Sequence, residues 1–191
     1  MPQPDENSQS FHDPLEALNR LLSHFDHRGV VIGGIAVGLL SQTRFTEDLD
    51  AMVLLSIEDI PRFLSLAEKE GILPRIDQAE DFAKRSRVLL LRHTHSQTNI
   101  DISLGVLPFE QEVVQRSVAH MIDDTLTIRL PTPEDLIIMK AIAHRPKDLL
   151  DIQGIIQSNP ELDSQRIQDW VTEFAALLEM PELWEDITDW F

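Results

Sequence analysis

Apolar positions along the 191-residue chain change their spacing several times, and each change marks an element. Leu15, Leu18, Leu21, Leu22 and Phe25 recur at three- and four-residue intervals, the period of a helix with one buried face. Asp13 followed by Pro14, with Glu16 behind them, reads as the cap and first turn of that helix, leaving the first twelve residues as a loose tail. His27-Arg28-Gly29 ends it. Val30, Val31 and Ile32 are contiguous and β-branched, and Gly33-Gly34 closes them, which predicts a strand entering a tight turn. Residues 35–40 follow as a short buried helix. Residues 49–55 predict the next strand. Ser56 is placed to cap a helix with Asp59 in its first turn, its stripe is Ile57, Ile60, Phe63, Leu64 and Ala67, and Gly71 stops it. Residues 88–92 and 99–104 read as two arms of a hairpin around 93–97.

Beyond about residue 130 the period becomes helical. Thr132-Pro133-Glu134-Asp135 is a start signal, with Thr as cap and Pro at the first helical position. That helix runs to about 144, Pro146 interrupts, and a second spans about 147–157. Ile167, Trp170, Val171, Phe174, Leu177 and Leu178 give the last long helix its stripe. The expected fold class is α+β: a mixed-sheet core flanked by helices over 13–128, with a helical region over 129–191 packed on it. No internal repeat stands out.

Charge narrows the partners. With 33 Asp and Glu against 16 Lys and Arg the net charge is -17, which repels extended duplex nucleic acid and anionic membrane. A cationic or small-molecule partner suits such a surface better. The absence of Cys removes disulfides, thiolate catalysis and Cys-ligated zinc together. No stretch reaches the ~20 apolar residues of a membrane span, and the acidic, polar start is unlike a signal peptide, so the expected address is cytoplasmic. Residues 161–191 hold nine acidic side chains and one basic one, Arg166. Interleaved with Trp170, Trp184, Trp190 and Phe191, they read either as a docking surface for a cationic acceptor or partner, or as a packed helix whose acids face water. Lys84, Arg85, Arg87 and Arg92 form a basic island, placed to steer a nucleotide or an RNA end or simply to solvate a surface hairpin. His93 and His95 lack a third zinc ligand and read as a surface pair.

The chemistry concentrates at three aspartates. Strand period two puts Asp48 and Asp50 on one face, with Leu49 on the other. Two carboxylates so close repel unless a cation neutralises them, and magnesium favours carboxylate oxygen together with water and phosphate. Asp101, between Ile100 and Ile102, offers a third oxygen ligand if its strand lies beside the first. The competing reading is a solvated strand end. Gly33-Gly34 allows close backbone approach to a triphosphate and supplies amide donors, although such pairs are also ordinary turns.

Val31-Ile32-Gly33-Gly34-Ile35-Ala36-Val37, then Arg44-Phe45-Thr46-Glu47-Asp48-Leu49-Asp50, resembles the signature of the DNA polymerase beta-like nucleotidyltransferases. The likeness is to small bacterial branches, the toxin-like abortive-infection enzymes and the aminoglycoside adenylyltransferases. Asn99-Ile100-Asp101-Ile102, Thr132-Pro133-Glu134-Asp135-Leu136 and the segment from Lys140 to Asp151 extend it over roughly residues 30–152. The resemblance implies that Asp48, Asp50 and Asp101 are catalytic and bind two magnesium ions, and that Gly33 and Gly34 hold the phosphates of a nucleoside triphosphate such as ATP. Lys140, Arg145 and Lys147 are further nucleotide-binding candidates, able instead to pair with Asp148 and Asp151. Arg44 and Thr46, with those two aspartates, are expected in structural or auxiliary roles. Ile35 departs from the family, where a Ser often contacts phosphate. The activity implied is transfer of a nucleoside monophosphate to an RNA end, a small molecule or a protein. The alternative is a non-catalytic nucleotide-binding or interaction module retaining the fold.

Overall fold

The computed structural model describes residues 6–41, 46 and 48–191, with side chains from Phe11 onward. They form two compact units, one comprising residues 6–35, 46 and 48–130, the other 36–41 and 131–191. The division falls inside a helix, so each unit is assembled from two separate stretches of chain.

The first unit is built on a five-stranded sheet. Its strands are β1 (Gly29–Ile32), β2 (Asp48–Val53), β3 (Ile72–Pro74), β4 (Val88–His93) and β5 (Asn99–Leu104), in the order β1-β2-β5-β4-β3. Only β2 and β5 pair in parallel; the other neighbours are antiparallel. Parallel strands need a crossover, and here α3 (Ile60–Lys69), β3, α4 (Ala79–Ser86) and β4 make it. Period-two alternation gives the sheet two unlike faces. Leu49, Ala51 and Val53 of β2, Ile100, Ile102 and Leu104 of β5, and Leu89 and Leu91 of β4 are buried. Their neighbours Asp48, Asp50, Asn99, Asp101 and Arg92 occupy the opposite, partly exposed face. The α+β class and its mixed, helix-flanked sheet are those the sequence predicts.

Helix α1 (Glu6–Ser23) buries Leu15, Leu18, Leu21 and Leu22, and Phe25 behind it packs on Phe63 of α3 with ring centroids 5.2 Å apart. Its start differs from the sequence reading. Pro14 lies inside the helix rather than at its first turn, forfeiting one backbone hydrogen bond while the helix continues around it. Ser56 also departs from expectation. A 3₁₀ turn over Ile57–Asp59 precedes α3, and the Ser56 hydroxyl donates to the Asp59 carboxylate at 3.2 Å instead of capping a backbone amide. Gly71 does stop α3, with φ of 70°. The sequence reading gave no elements to β3, α4, α5 (Pro108–Arg116) or the small hairpin of β6 (Val118–Met121) and β7 (Thr127–Leu130).

Helix α2 (Gly33–Leu40) begins in the first unit and ends in the second. The second unit continues with α6 (Pro133–Ala143), α7 (Pro146–Ser158), α8 (Ser164–Leu178), α9 (Glu182–Glu185) and a 3₁₀ turn (Thr188–Trp190). Thr132 caps α6 as the sequence predicts, its hydroxyl accepting from the Asp135 amide at 3.2 Å. Asn159 ties α7 to the end of α2, donating to the carbonyls of Leu40 and Ile155 at 2.9 and 2.8 Å. The stripe of α8 is narrower than expected: Ile167, Val171 and Ala175 are buried, but Leu177 is 76% exposed and Leu178 47%. Trp170 and Phe174 are half-buried and stacked on each other. No described helix is long and apolar enough to cross a membrane.

Ile102 sits fully buried on the central strand, contacting both flanking strands through its register partners Ala51 and Leu89. Ile102→Ala is expected to cost about 3 kcal/mol of unfolding free energy, read as a lower urea midpoint at unchanged slope.

Candidate functional site

The parallel register aligns Asp50 with Asp101 and Asp48 with Asn99 as direct partners on β2 and β5. Aligned partners in a sheet share a face, so the two strands bring Asp48, Asp50 and Asp101 to one surface. Burial pushes the Asp101 carboxyl above its ordinary value; the charge of Arg75 opposes that shift and the neighbouring Asp48 carboxylate adds to it.

Gly33 and Gly34 enclose the same group from the start of α2. Gly33 has φ of 66°, a left-handed conformation that disfavours any side chain. A Cβ there would also fall on the Asp50 side chain, 2.6 Å from its Cγ. A Cβ on Gly34 would meet Thr46 at 2.7 Å. The glycine pair is therefore the space into which Asp50 and Thr46 pack, a role that spacing alone does not convey. Thr46 also donates its hydroxyl to the Asp48 carbonyl at 3.2 Å. Arg44 lies outside the described residues.

Two arginines complete the charge pattern. Arg75 Nη2 donates to Asp101 Oδ1 at 2.5 Å. Arg92 Nε donates to Asn99 Oδ1 at 3.1 Å, and Asn99 Nδ2 donates in turn to Asp48 Oδ1 at 3.0 Å. Arg75 was not among the residues singled out by sequence, since no motif contains it and its partner lies 26 positions ahead. The remaining basic island spreads over other elements. Lys84 and Arg85 lie on α4, where Lys84 pairs with Glu80 at 2.6 Å, and Arg87 ends the helix with φ of 59°. His93 is buried, not on the surface as expected, with Nδ1 2.9 Å from the Ser96 hydroxyl; burial holds its pKa below the ordinary value.

Three carboxylates on one sheet face are hard oxygen donors of the kind magnesium takes, and Asp50 and Asp101 are directly aligned, so the donor chemistry fits that ion. As the side chains stand, Asp101 and Asp48 each lend an oxygen to Arg75 and Asn99. Among the described residues no group of three His, Cys, Asp or Glu side chains closes into a metal-binding cluster.

Lys140, Asp148 and Asp151 meet in the second unit. Lys140 is only 5% exposed, and its Nζ donates to Asp148 Oδ1 and Asp151 Oδ2, both at 2.9 Å. Asp148 is fully buried and also accepts from Arg145, whose Nε reaches Oδ2 at 2.6 Å and whose Nη2 reaches Oδ1 at 3.1 Å. Burial alone would push the Asp148 carboxyl up, but hydrogen bonds and charge from Arg145 and Lys140 hold it below its ordinary value. Lys147 is exposed on the first turn of α7. The pairing alternative for Arg145 is thus realised with Asp148, and Lys140 is enclosed by carboxylates.

A mixed sheet with a glycine turn leading into an acidic strand, beside a parallel strand bearing a third aspartate, is the arrangement that the resemblance to the DNA polymerase beta-like nucleotidyltransferases implies, and the family match supports that link. Within it the chain belongs to the family described as nucleotidyl transferase AbiEii toxin, type IV toxin-antitoxin system, whose model matches residues 16–182. Solved structures with the same fold include the antibiotic-resistance factor ANT(2'')-Ia, at 15% identity and TM-score 0.56, covering 88% of this chain and 95% of that one. A second structure of that protein, in complex with adenylyl-2''-tobramycin, has 15% identity and TM-score 0.55, covering 86% and 98%. A nucleotidyltransferase candidate from H. pylori has 17% identity and TM-score 0.51, covering 97% and 83%. No curated protein sequence matches.

Gly33→Ala should destabilise the first unit by about 1–3 kcal/mol through its left-handed backbone and the collision with Asp50, whereas Gly29→Ala, outside the left-handed region, tests close packing without that backbone strain. Urea titration of both variants checks this. For Asp148 the sign is set by its lowered pKa. Its stabilisation is complete above the ordinary carboxylate value and is lost as pH falls through the lowered one. Asp148→Asn should cost about 3–5 kcal/mol at pH 7 and flatten the acid limb of a stability-against-pH curve.

Proposed function

We propose that this protein transfers a nucleoside monophosphate from a nucleoside triphosphate to an acceptor in a magnesium-dependent reaction. The observation that carries the reading is the alignment of Asp50 with Asp101 on adjacent parallel strands, with Asp48 two residues away on the same face. The acceptor hydroxyl loses its proton to water as its oxygen bonds to the α-phosphorus, the bond from that phosphorus to the bridging oxygen breaks, and pyrophosphate leaves.

Asp48, Asp50 and Asp101 are the residues that would hold two magnesium ions, which on binding would offset the charge of the triphosphate and of the acceptor oxygen. Gly33 lets the backbone approach the phosphates, and the free amides of the first turn of α2 donate to them. Asp50, packed on Gly33, is fixed beside that turn. Thr46 supports the strand entry through the Asp48 carbonyl. On the family likeness, Lys140, Arg145 and Lys147 contribute to nucleotide binding. Lys140 does so by fixing Asp148 and Asp151, while the more exposed Arg145 and Lys147 offer charge to a ligand.

The acceptor is an RNA end, a cationic small molecule or a protein hydroxyl. The strongly negative net charge favours a cationic acceptor, and ANT(2'')-Ia, solved with adenylyl-2''-tobramycin, supplies a precedent on this fold. A second reading, a nucleotide-binding module without transfer, is favoured by the ion pair of Asp101 with Arg75 and the hydrogen bond of Asp48 with Asn99, which engage two of the three aspartates.

Incubation with each labelled triphosphate, magnesium and cell extract, followed by separation into RNA, protein and small-molecule fractions, tests both. Transfer of label with pyrophosphate release supports the first reading, and Asp50→Asn should keep the fold while losing the label. Full turnover in Asp50→Asn would sink the assignment. Nucleotide binding without pyrophosphate release across all fractions would favour the second.

A further inference from the structure

We propose that Arg75 is a displaceable internal counter-ion of the aspartate group, holding Asp101 when no cation is bound and yielding that oxygen when a divalent cation enters. This rests on the magnesium reading above. Three observations carry it. The Arg75 guanidinium donates to Asp101 Oδ1 at 2.5 Å, between side chains only 26% and 32% exposed, so the pair is partly shielded from water and from salt. The backbone of Arg75 is held independently: its amide donates to the Leu90 carbonyl at 3.0 Å, just past the end of β3, and Leu90 is the register partner of Asp101. The guanidinium can therefore leave the carboxylate without the strand edge moving. Finally, Asp101 faces the same surface as Asp48 and Asp50, and the Asp48 carboxylate acts on it as a like charge that a cation beside Asp101 offsets.

A guanidinium and a divalent cation on the same carboxylate repel each other, so occupancy by one weakens the other. The contrast with Arg92 sharpens the assignment. Arg92 reaches the group through the side-chain amide of Asn99, so among the described residues the partner donating to Asp48 is neutral. Arg75 makes a direct ion pair to one of the three aspartates.

The test is Mn2+ binding to the full chain, followed by water-proton relaxation, for the wild type, Arg75→Gln and Arg75→Lys, with thermal melts of each with and without the ion. Arg75→Gln should bind Mn2+ at least about fivefold more tightly than the wild type, within the usual range of coupling between two sites. It should melt lower without cation and gain more from Mn2+; Arg75→Lys should fall between. Equal or weaker Mn2+ binding by a folded Arg75→Gln, or an equal melting gain, overturns the counter-ion role while leaving the magnesium reading standing. No Mn2+ binding by any of the three proteins, with nucleotide present, overturns the magnesium reading and this proposal with it. A measurement on the wild type keeps the proposal falsifiable if Arg75→Gln does not fold. Hydrogen exchange at the Arg75 guanidinium should quicken when Mg2+ is added, and an unchanged rate overturns the proposal.

Discussion

The parallel pairing of β2 with β5, set within an otherwise antiparallel sheet, is the constraint on which the first unit depends. A single-residue slip of β5 would send Asp101 to the buried face and bring Ile100 and Ile102 out of it. Core packing and carboxylate placement are thus one requirement. Leu49, Ile100, Ile102 and Leu89 lock the register on one side of the sheet, and the aspartates on the other side inherit it. The chain gives the whole stretch between these strands to the crossover, which also delivers Arg92 on β4, beside β5, and Arg75 just past β3, one strand further out.

Acidic side chains are handled in two different ways. On the sheet face, Asp48 and Asp101 remain partly open and are held by single contacts from Asn99 and Arg75. In the second unit, Asp148 and Asp151 are buried around Lys140, with Arg145 adding two further side-chain bonds to Asp148. Buried pairs of the latter kind tolerate loss of one partner poorly, because the remaining charge has no water to turn to. The former can exchange partners with solvent or ligand. Equal formal charge therefore serves fixed architecture in one place and a responsive surface in the other.

Elements with a local signature were legible in the sequence. Strand alternation placed Asp48 and Asp50, the run from Asn99 to Leu104 placed β5, and Thr132-Pro133 marked α6. The misses have physical causes. The cap signal at Asp13-Pro14 competes with a helix that runs through it, which local propensity does not weigh. Helix α4 offers only Ala79, Phe82 and Ala83 as an apolar face among charges, and β3 is three residues ending in proline, so neither carries a usable period. On α8 the period was right but the stripe too wide, since Leu177 and Leu178 continue it beyond the packed surface. Arg75 has no sequence signal because its meaning is tertiary: it comes from the alignment of β3, β4 and β5. The partners of Lys140 lie on the next helix, so the motif could name those residues without telling a ligand clamp from a buried ion pair.

The division within α2 bears on how the chain is made. Ala36 and Val37 are buried in the second unit, and the Leu40 carbonyl there takes its hydrogen bond from Asn159. During synthesis these residues leave the ribosome before most of the first unit and long before α7 exists. The end of α2 must wait, unpaired, until α7 and Asn159 have emerged. Completion of the second unit is thereby deferred until after the strands of the first have been made, and a product terminated before α7 retains an apolar segment with nothing to cover it.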